Sequence, residues 1–418
     1  MDKLNLNILK YSSLALVLSF VGLPVYIHTP HFYSTYYDIS LAKIGTILLF
    51  LRVIDAALDP IIGALSDKYS DYRKKIIFFA IILLVISVFA LFSQPLFSPL
   101  IWFAIFIFLA TTAYSIITIN YYALGALFTD NKLIRTNLTT RREAIGLLGL
   151  IAASAAPTIL QKYFAINIAF QYYTWIFVFV TLISSTIFYS WYNSYQEKAA
   201  DIIDKKKVRL YDIVTALISK PIFYLIVFIS SFASAIPSIL VLFFIEDILA
   251  LENMSGLFLV LYFLSGALGM PIWQILAKKM GKLTAWNLAM IIAIITFCWA
   301  FFLQKGAAIE YGIICCLSGI ALGGELALPP SILADLSDQN KKITTTNFAI
   351  LAFLMKFALA IASGSILYLL SLSAFKPGGE NNYSSLYWLS FYYALLPCII
   401  KIIAVLLSIF LAQKINSK

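Results

Sequence analysis

The sequence predicts an all-α integral membrane protein of twelve transmembrane helices arranged as two six-helix bundles. Three observations carry that expectation. Of the 418 residues, 62% are hydrophobic and only 12% charged, with mean hydropathy +0.92; a soluble globular chain runs about 45–50% apolar and about 25% charged. Apolar stretches of about 20 residues recur along the whole length. The basic residues gather in alternate connectors. So few charges cannot cover a soluble body of this size, which excludes a soluble enzyme, a nucleic-acid module and a disordered regulator.

Spans are predicted over 8–32, 41–66, 75–94, 97–128, 143–162, 169–193, 220–247, 254–277, 283–303, 306–335, 344–372 and 385–413. A backbone in lipid must satisfy its own hydrogen bonds, so each span is a helix. The alternating ten-residue strands of a membrane barrel are missing from the pattern. The opening MDKLNLNILKYSSLALVLSF resembles a secretory leader but lacks a small-residue cleavage site, so it is read as an uncleaved first helix. Cys298, Cys315, Cys316 and Cys398 lie within apolar runs and form no CxxC, which points to neither a disulfide framework nor a metal site.

With both termini cytoplasmic, twenty-three of the thirty Lys and Arg fall in cytoplasmic segments. Four (Lys43, Lys162, Lys305, Lys376) fall on the opposite side, and three (Arg52, Lys356, Lys401) within helices. The net charge of +10 therefore orients helices and does not mark nucleic acid as a partner. The longest polar segment, 194–219, divides the chain into an N-terminal bundle over 1–193 and a C-terminal bundle over 220–418. Two parallel halves joined by a cytoplasmic linker are the layout of a major-facilitator transporter.

Ionisable residues at membrane depth cost about 2.5–3.5 kcal/mol each on insertion scales and tend to mark transport pathways. The second span carries Arg52, Asp55 and Asp59, followed by Pro60, in LRVIDAALDPIIG. Four residues of helix bring both carboxylates onto one face, about 6 Å apart along the axis. Such a pair can coordinate a small hard cation, Na⁺ here, or share a proton because like charges so close resist double ionisation. A structural ion pair is the alternative reading. Lys356 in the eleventh span could compete with a cation for the same carboxylates. Glu325 in the tenth span and Lys401 in the twelfth complete the deep charges, and Lys401 could instead snorkel. Pro329 and Pro330 should break or bend the tenth span.

Asp335 and Asp338 end that span, where gating contacts with loop lysines and plain solvation are both open. Tyr121 and Tyr122, beside Asn120 in the fourth span, are the aromatic pair read as lining a cavity, and Asn120 is counted with them among the coupling or substrate residues. Gly146, Gly149 and Ala153 in the fifth allow close helix packing. His28 and His31 flank Thr29 and Pro30 near the outer end of the first span and are read as interfacial hydrogen-bonding groups, with proton handling as the alternative.

The stretch RVIDAALDPIIGALSDKYSDYRKK resembles the signature of the glycoside–pentoside–hexuronide:cation symporters, matching at Arg52, Asp55, Asp59, Pro60 and Gly63. Arg142 in RREAIGLLG, the acidic LADLSD and Lys356 in NFAILAFLMKFALAIASG agree in order with the same family. The resemblance implies a facilitator fold and cation-coupled symport, with Asp55 and Asp59 at the cation site and Lys356 nearby. It also implies where the chain departs. Ser19 stands where the family has a sugar-binding acid in its first helix, and Thr118 stands near the position of a second such acid.

The expected function is a monomeric secondary transporter of the bacterial inner membrane that couples Na⁺ or H⁺ to import of a small polar solute, such as a sugar or glycoside. It needs no cofactor beyond the coupling ion. The missing sugar acids leave a lipid or lysolipid substrate open, and a non-transporting sensor or scaffold is a further alternative. No HExxH, GxSxG or P-loop occurs, which argues against an enzyme or an ATP-driven pump.

Overall fold

The computed structural model describes residues 3–199, 211–373, 375, 376, 379 and 381–416. Among them there is no strand. The α-helices in chain order are α1 (Lys3–Ser12), α2 (Leu14–Val21), α3 (Leu23–Tyr36), α4 (Leu41–Lys68), α5 (Arg73–Leu91), α6 (Pro99–Leu127), α7 (Lys132–Leu160) and α8 (Ile166–Ala199). They continue as α9 (Tyr211–Ser219), α10 (Pro221–Phe243), α11 (Ser255–Met280), α12 (Lys282–Ala300), α13 (Ala308–Leu336), α14 (Thr344–Leu372), α15 (Tyr383–Ser390) and α16 (Leu396–Asn416). Part of the segment read as a linker, 200–210, lies outside the described residues.

Eleven stretches of the described residues are long and apolar enough to cross a membrane. The remaining long helix, α4, has 28 residues and owes its lower apolarity to Arg52, Asp55 and Asp59 in its middle. The outer faces of the helices are as apolar as their cores. Phe50, Phe79, Phe179, Leu268 and Ile295 are all exposed, which suits a surface that meets lipid rather than water.

The chain forms two compact units. The first joins Met1–Ala216 to Leu333–Ala352, so the end of α13 and the start of α14 pack with the N-terminal helices. Within it α4 and α5 pack on α6, while α1 and α2 pack on α7 and α8. Tyr11, Tyr33, Phe103, Tyr121 and Trp191 fill its core. Small residues let the backbones close up: a side chain at Gly149 would run into Ser19 on α2. Gly146 of the same helix faces Ala15.

The second unit comprises Leu217–Ile332 and Phe353–Lys418. Here α10 and α12 pack on α16. The glycines of α13 admit α11: a Cβ on Gly323 would lie 2.8 Å from the Gly266 carbonyl oxygen, and one on Gly324 would meet the Trp273 ring. Wide π-type turns at Phe244–Ile248 and Phe391–Leu395 face each other in this unit. Phe244 stacks on Tyr393 with centroids 4.1 Å apart, and the Tyr311 and Tyr393 hydroxyls hydrogen-bond at 2.7 Å.

Two local expectations are corrected. The fifth span starts at Lys132, not 143, because Asn131 caps it by accepting from the Leu133 and Ile134 amides. Arg135, Arg141 and Arg142, which precede the predicted start, are therefore helical. α13 also runs unbroken through Pro329 and Pro330. A membrane helix tolerates proline where its neighbours re-satisfy the freed backbone groups.

Candidate functional site

In the first unit Asp55 and Asp59 are 6% and 0% exposed on α4, so both carboxyl groups are withdrawn from solvent and lipid. Ser115 on α6 donates its hydroxyl to Asp55 Oδ1 at 3.0 Å. One helical turn further on, the Asn120 amide donates to Ser66 Oγ at 3.0 Å and to its own helix at the Ile116 carbonyl. The α4–α6 contact is thus a polar seam, with the two acids at its centre. Arg52 is half-buried on α4, one turn before Asp55.

A second group of polar side chains converges from α6 and α7. The Arg142 guanidinium lies 3.4 Å from the Tyr122 ring centroid and 5.9 Å from that of Tyr121, within cation–π range. It donates to Glu143 Oε1 through Nε at 2.9 Å and Nη2 at 2.6 Å, and the Tyr122 hydroxyl donates to the same oxygen at 3.2 Å. Tyr121 departs from its expected cavity role. It is fully buried, stacks against Tyr11 at 4.4 Å and donates its hydroxyl to the Tyr11 carbonyl. Thr118 lies half-buried between Tyr114 and Tyr122 on α6, and Ser19 on α2 donates to the Leu16 carbonyl at 2.7 Å.

Sequence reasoning missed Ser115 and Glu143. The spacing of Ser115, Thr118 and Tyr122 along one face was the available signal for the first. Glu143 was passed over as the first residue of the predicted span, because that span was started eleven residues too late.

The cytoplasm-side expectations meet at the segment Leu333–Ala352. Asp67, at the end of α4, accepts from the Thr345 and Thr346 amides at 3.0 and 2.6 Å and from the Thr346 hydroxyl at 2.8 Å. It thereby caps the start of α14 with a carboxylate, where the helix dipole favours negative charge. Arg73 holds Asp67 at 3.4 Å and donates to Thr345 Oγ1 at 2.6 Å. Asp335 and Asp338 both meet Arg135 of α7. The Arg135 guanidinium is bidentate on Asp338 at 2.6 and 2.7 Å and reaches Asp335 at 3.3 Å. Lys341 bonds Asp130 at 2.6 Å, and this exposed contact holds the Asp130 carboxyl below its ordinary range.

In the second unit Glu325 and Lys401 are partners. Lys401 Nζ donates to both carboxylate oxygens at 2.6 and 2.7 Å, and to Ser234 Oγ at 2.8 Å. Ser234 donates to Glu325 at 3.0 Å and Ser230 at 3.4 Å. Lys401 is therefore interior rather than snorkelling. Lys356 lies half-buried on α14 in this same unit. Near the outer end of the first span, His28 Nε2 contacts the Ser154 carbonyl at 3.0 Å.

Two helical units of long apolar helices with ionisable side chains buried among them define a polytopic membrane protein. The chain belongs to the MFS/sugar transport protein family, whose model matches residues 10–416. It is 22% identical over 353 residues to the "Uncharacterized symporter YnaJ" of Bacillus subtilis, covering 79% of this chain and 75% of that one. It is 25% identical over 280 residues to the "Isoprimeverose transporter" of Lactiplantibacillus pentosus, covering 63% and 57% respectively. Among solved structures, a bacterial homologue of the iron transporter ferroportin in its outward-facing state superposes with TM-score 0.71 at 16% identity, over 97% of this chain and 99% of that one. The proton:xylose symporter XylE superposes with TM-score 0.64 at 15% identity, over 94% of each. The protein is a multi-pass secondary transporter of the major facilitator fold.

Proposed function

We propose that this transporter is a symporter of the bacterial inner membrane that draws a neutral sugar or glycoside inward on a Na⁺ or H⁺ gradient. The observation that carries the reading is the pair Asp55 and Asp59, buried one turn apart on α4, with Ser115 directed at Asp55. Oxygen ligands in that arrangement suit a small hard cation, and the same carboxyl pair can hold one proton. The symporter and isoprimeverose-transporter relatives support the choice of solute class.

Coupling requires that an occupied cation site favour the state that binds solute. Alternating access then requires that the 333–352 segment release Asp67 and Arg135. Both contacts are charge-assisted and capping bonds made by buried side chains, so their release requires that water reach Asp67 and Arg135. Cytoplasmic placement of the termini follows from the distribution of Lys and Arg.

Uptake into proteoliposomes tests the reading. An inward Na⁺ or H⁺ gradient should concentrate isoprimeverose or D-xylose above equilibrium in wild type, and Asp59→Asn should abolish the gradient-driven component. Equal uptake with and without either gradient, for both sugars, would contradict cation-coupled sugar symport.

A further inference from the structure

We infer that Glu143 is the carboxylate that takes hydroxyl groups of the transported solute. The inference rests on the sugar-symport reading above and deepens it by naming the group that receives the sugar. Every donor that reaches Glu143 among the described residues falls on one oxygen: Arg142 Nε at 2.9 Å, Arg142 Nη2 at 2.6 Å and the Tyr122 hydroxyl at 3.2 Å, all on Oε1. Oε2 receives no hydrogen bond from the described residues. With Oε1 taking all of these donors, Oε2 is the acceptor of the pair left open to a donor from outside.

The asymmetry has a structural origin. Arg142 lies over the Tyr122 ring, 3.4 Å from its centroid, and its side chain is 2% exposed, whereas the Glu143 side chain is 15% exposed. The exposed part of the pair is therefore the acceptor.

The chemistry of the open oxygen selects its ligand. Arg142 neutralises the charge of Glu143, so the pair attracts no net charge, yet Oε2 remains a strong acceptor. A second anion would meet that oxygen with no donor to offer. A neutral solute rich in O–H groups supplies the missing donor.

The experiment is calorimetric binding of D-xylose and isoprimeverose to the full-length protein in detergent with Na⁺ present at fixed pH, in wild type, Glu143→Gln and Glu143→Asp. Monodispersity and thermal midpoint serve as checks on folding. Hydrogen bonds to a charged group carry enough discrimination that Glu143→Gln should weaken sugar binding by about tenfold or more. Glu143→Asp should weaken it too, because the shorter arm withdraws Oε2. Monodeoxy analogues of D-xylose keep the test independent of any variant: at least one should bind wild type about tenfold more weakly than D-xylose.

Wild type that binds sugar, with Glu143→Gln within about twofold of it, would overturn the role of Glu143 and leave sugar symport standing. So would a full monodeoxy series that binds wild type as tightly as D-xylose does. Wild type that binds neither sugar would overturn the sugar reading itself, and the inference with it.

Discussion

Ser115 on α6 donates its hydroxyl to Asp55 Oδ1 at 3.0 Å across the α4–α6 contact. The bond fixes one of two buried carboxylates, and it offers a neutral oxygen beside them that could turn from donor to ligand when a cation arrives. Ser115→Ala should therefore weaken the stabilisation of the folded protein by its coupling cation by about tenfold in apparent affinity, while Ser115→Thr should retain it. Thermal unfolding over a cation titration reads the difference. An unshifted titration in Ser115→Ala would show that Ser115 serves only packing.

Lys401 and Glu325 form a buried ion pair within one unit, with Ser234 and Ser230 completing it. Removing one partner of such a pair strands the other charge, a loss of about 3–5 kcal/mol. Lys401→Met should lower the thermal midpoint sharply, and Glu325→Gln combined with Lys401→Met should recover most of the drop. A double variant no better than the single one would mean that Lys401 stabilises through its packing rather than its charge.

Asp67 caps α14 and thereby ties the 333–352 segment to α4 within the first unit. Loss of a cap costs about 1 kcal/mol, and charge-assisted bonds raise the figure. In a protein carrying Thr346→Cys, Asp67→Ala should speed labelling of that cysteine by a membrane-impermeant maleimide supplied from the cytoplasmic side. Gly63→Val should do the same by another route, because a side chain there would meet Ala349 and lie 3.1 Å from the Thr345 carbonyl oxygen. Unchanged labelling in both would argue that the segment is held elsewhere.

Asp130 has a folded-state carboxyl depressed by Lys341. A depressed acid contributes stability above its unfolded value, and the contribution fades as pH falls through the folded one. Asp130→Asn should therefore differ slightly from wild type at neutral pH, by less than about 1 kcal/mol because the pair is exposed, and the difference should close only below about pH 4. A gap that closed between pH 5 and 7 would point to a histidine instead.

The helical architecture was legible because lipid demands it: long apolar runs admit one solution, and the distribution of Lys and Arg alternates with them. The acids of α4 were legible for the converse reason, since a charge in an apolar run stands out. Glu143 was not, because Lys132, Arg135, Arg141 and Arg142 precede it and make the first three turns of α7 look like a loop. Only the Asn131 cap marks the true start. Partner choice was equally hidden. Nothing in LADLSD says that its acids meet Arg135, some 200 residues earlier in the chain, or that Asp67 would reach the amides of Thr345 and Thr346. Such pairings belong to the tertiary packing, which one-dimensional spacing does not encode. Pro329 and Pro330 mislead for the same reason, as their effect on α13 depends on what surrounds it.

The central claim is that Asp55 and Asp59 bind the coupling cation, and thermal unfolding of the purified protein in Na⁺, Li⁺ and K⁺ across pH tests it most directly, in wild type and Asp59→Asn. A cation that binds only the folded state raises stability with its concentration. The account predicts stabilisation by Na⁺ or Li⁺ over K⁺ in wild type that vanishes in Asp59→Asn, or, for proton coupling, a pH dependence that the substitution removes. Wild type and variant that unfold alike in every cation and at every pH would contradict it.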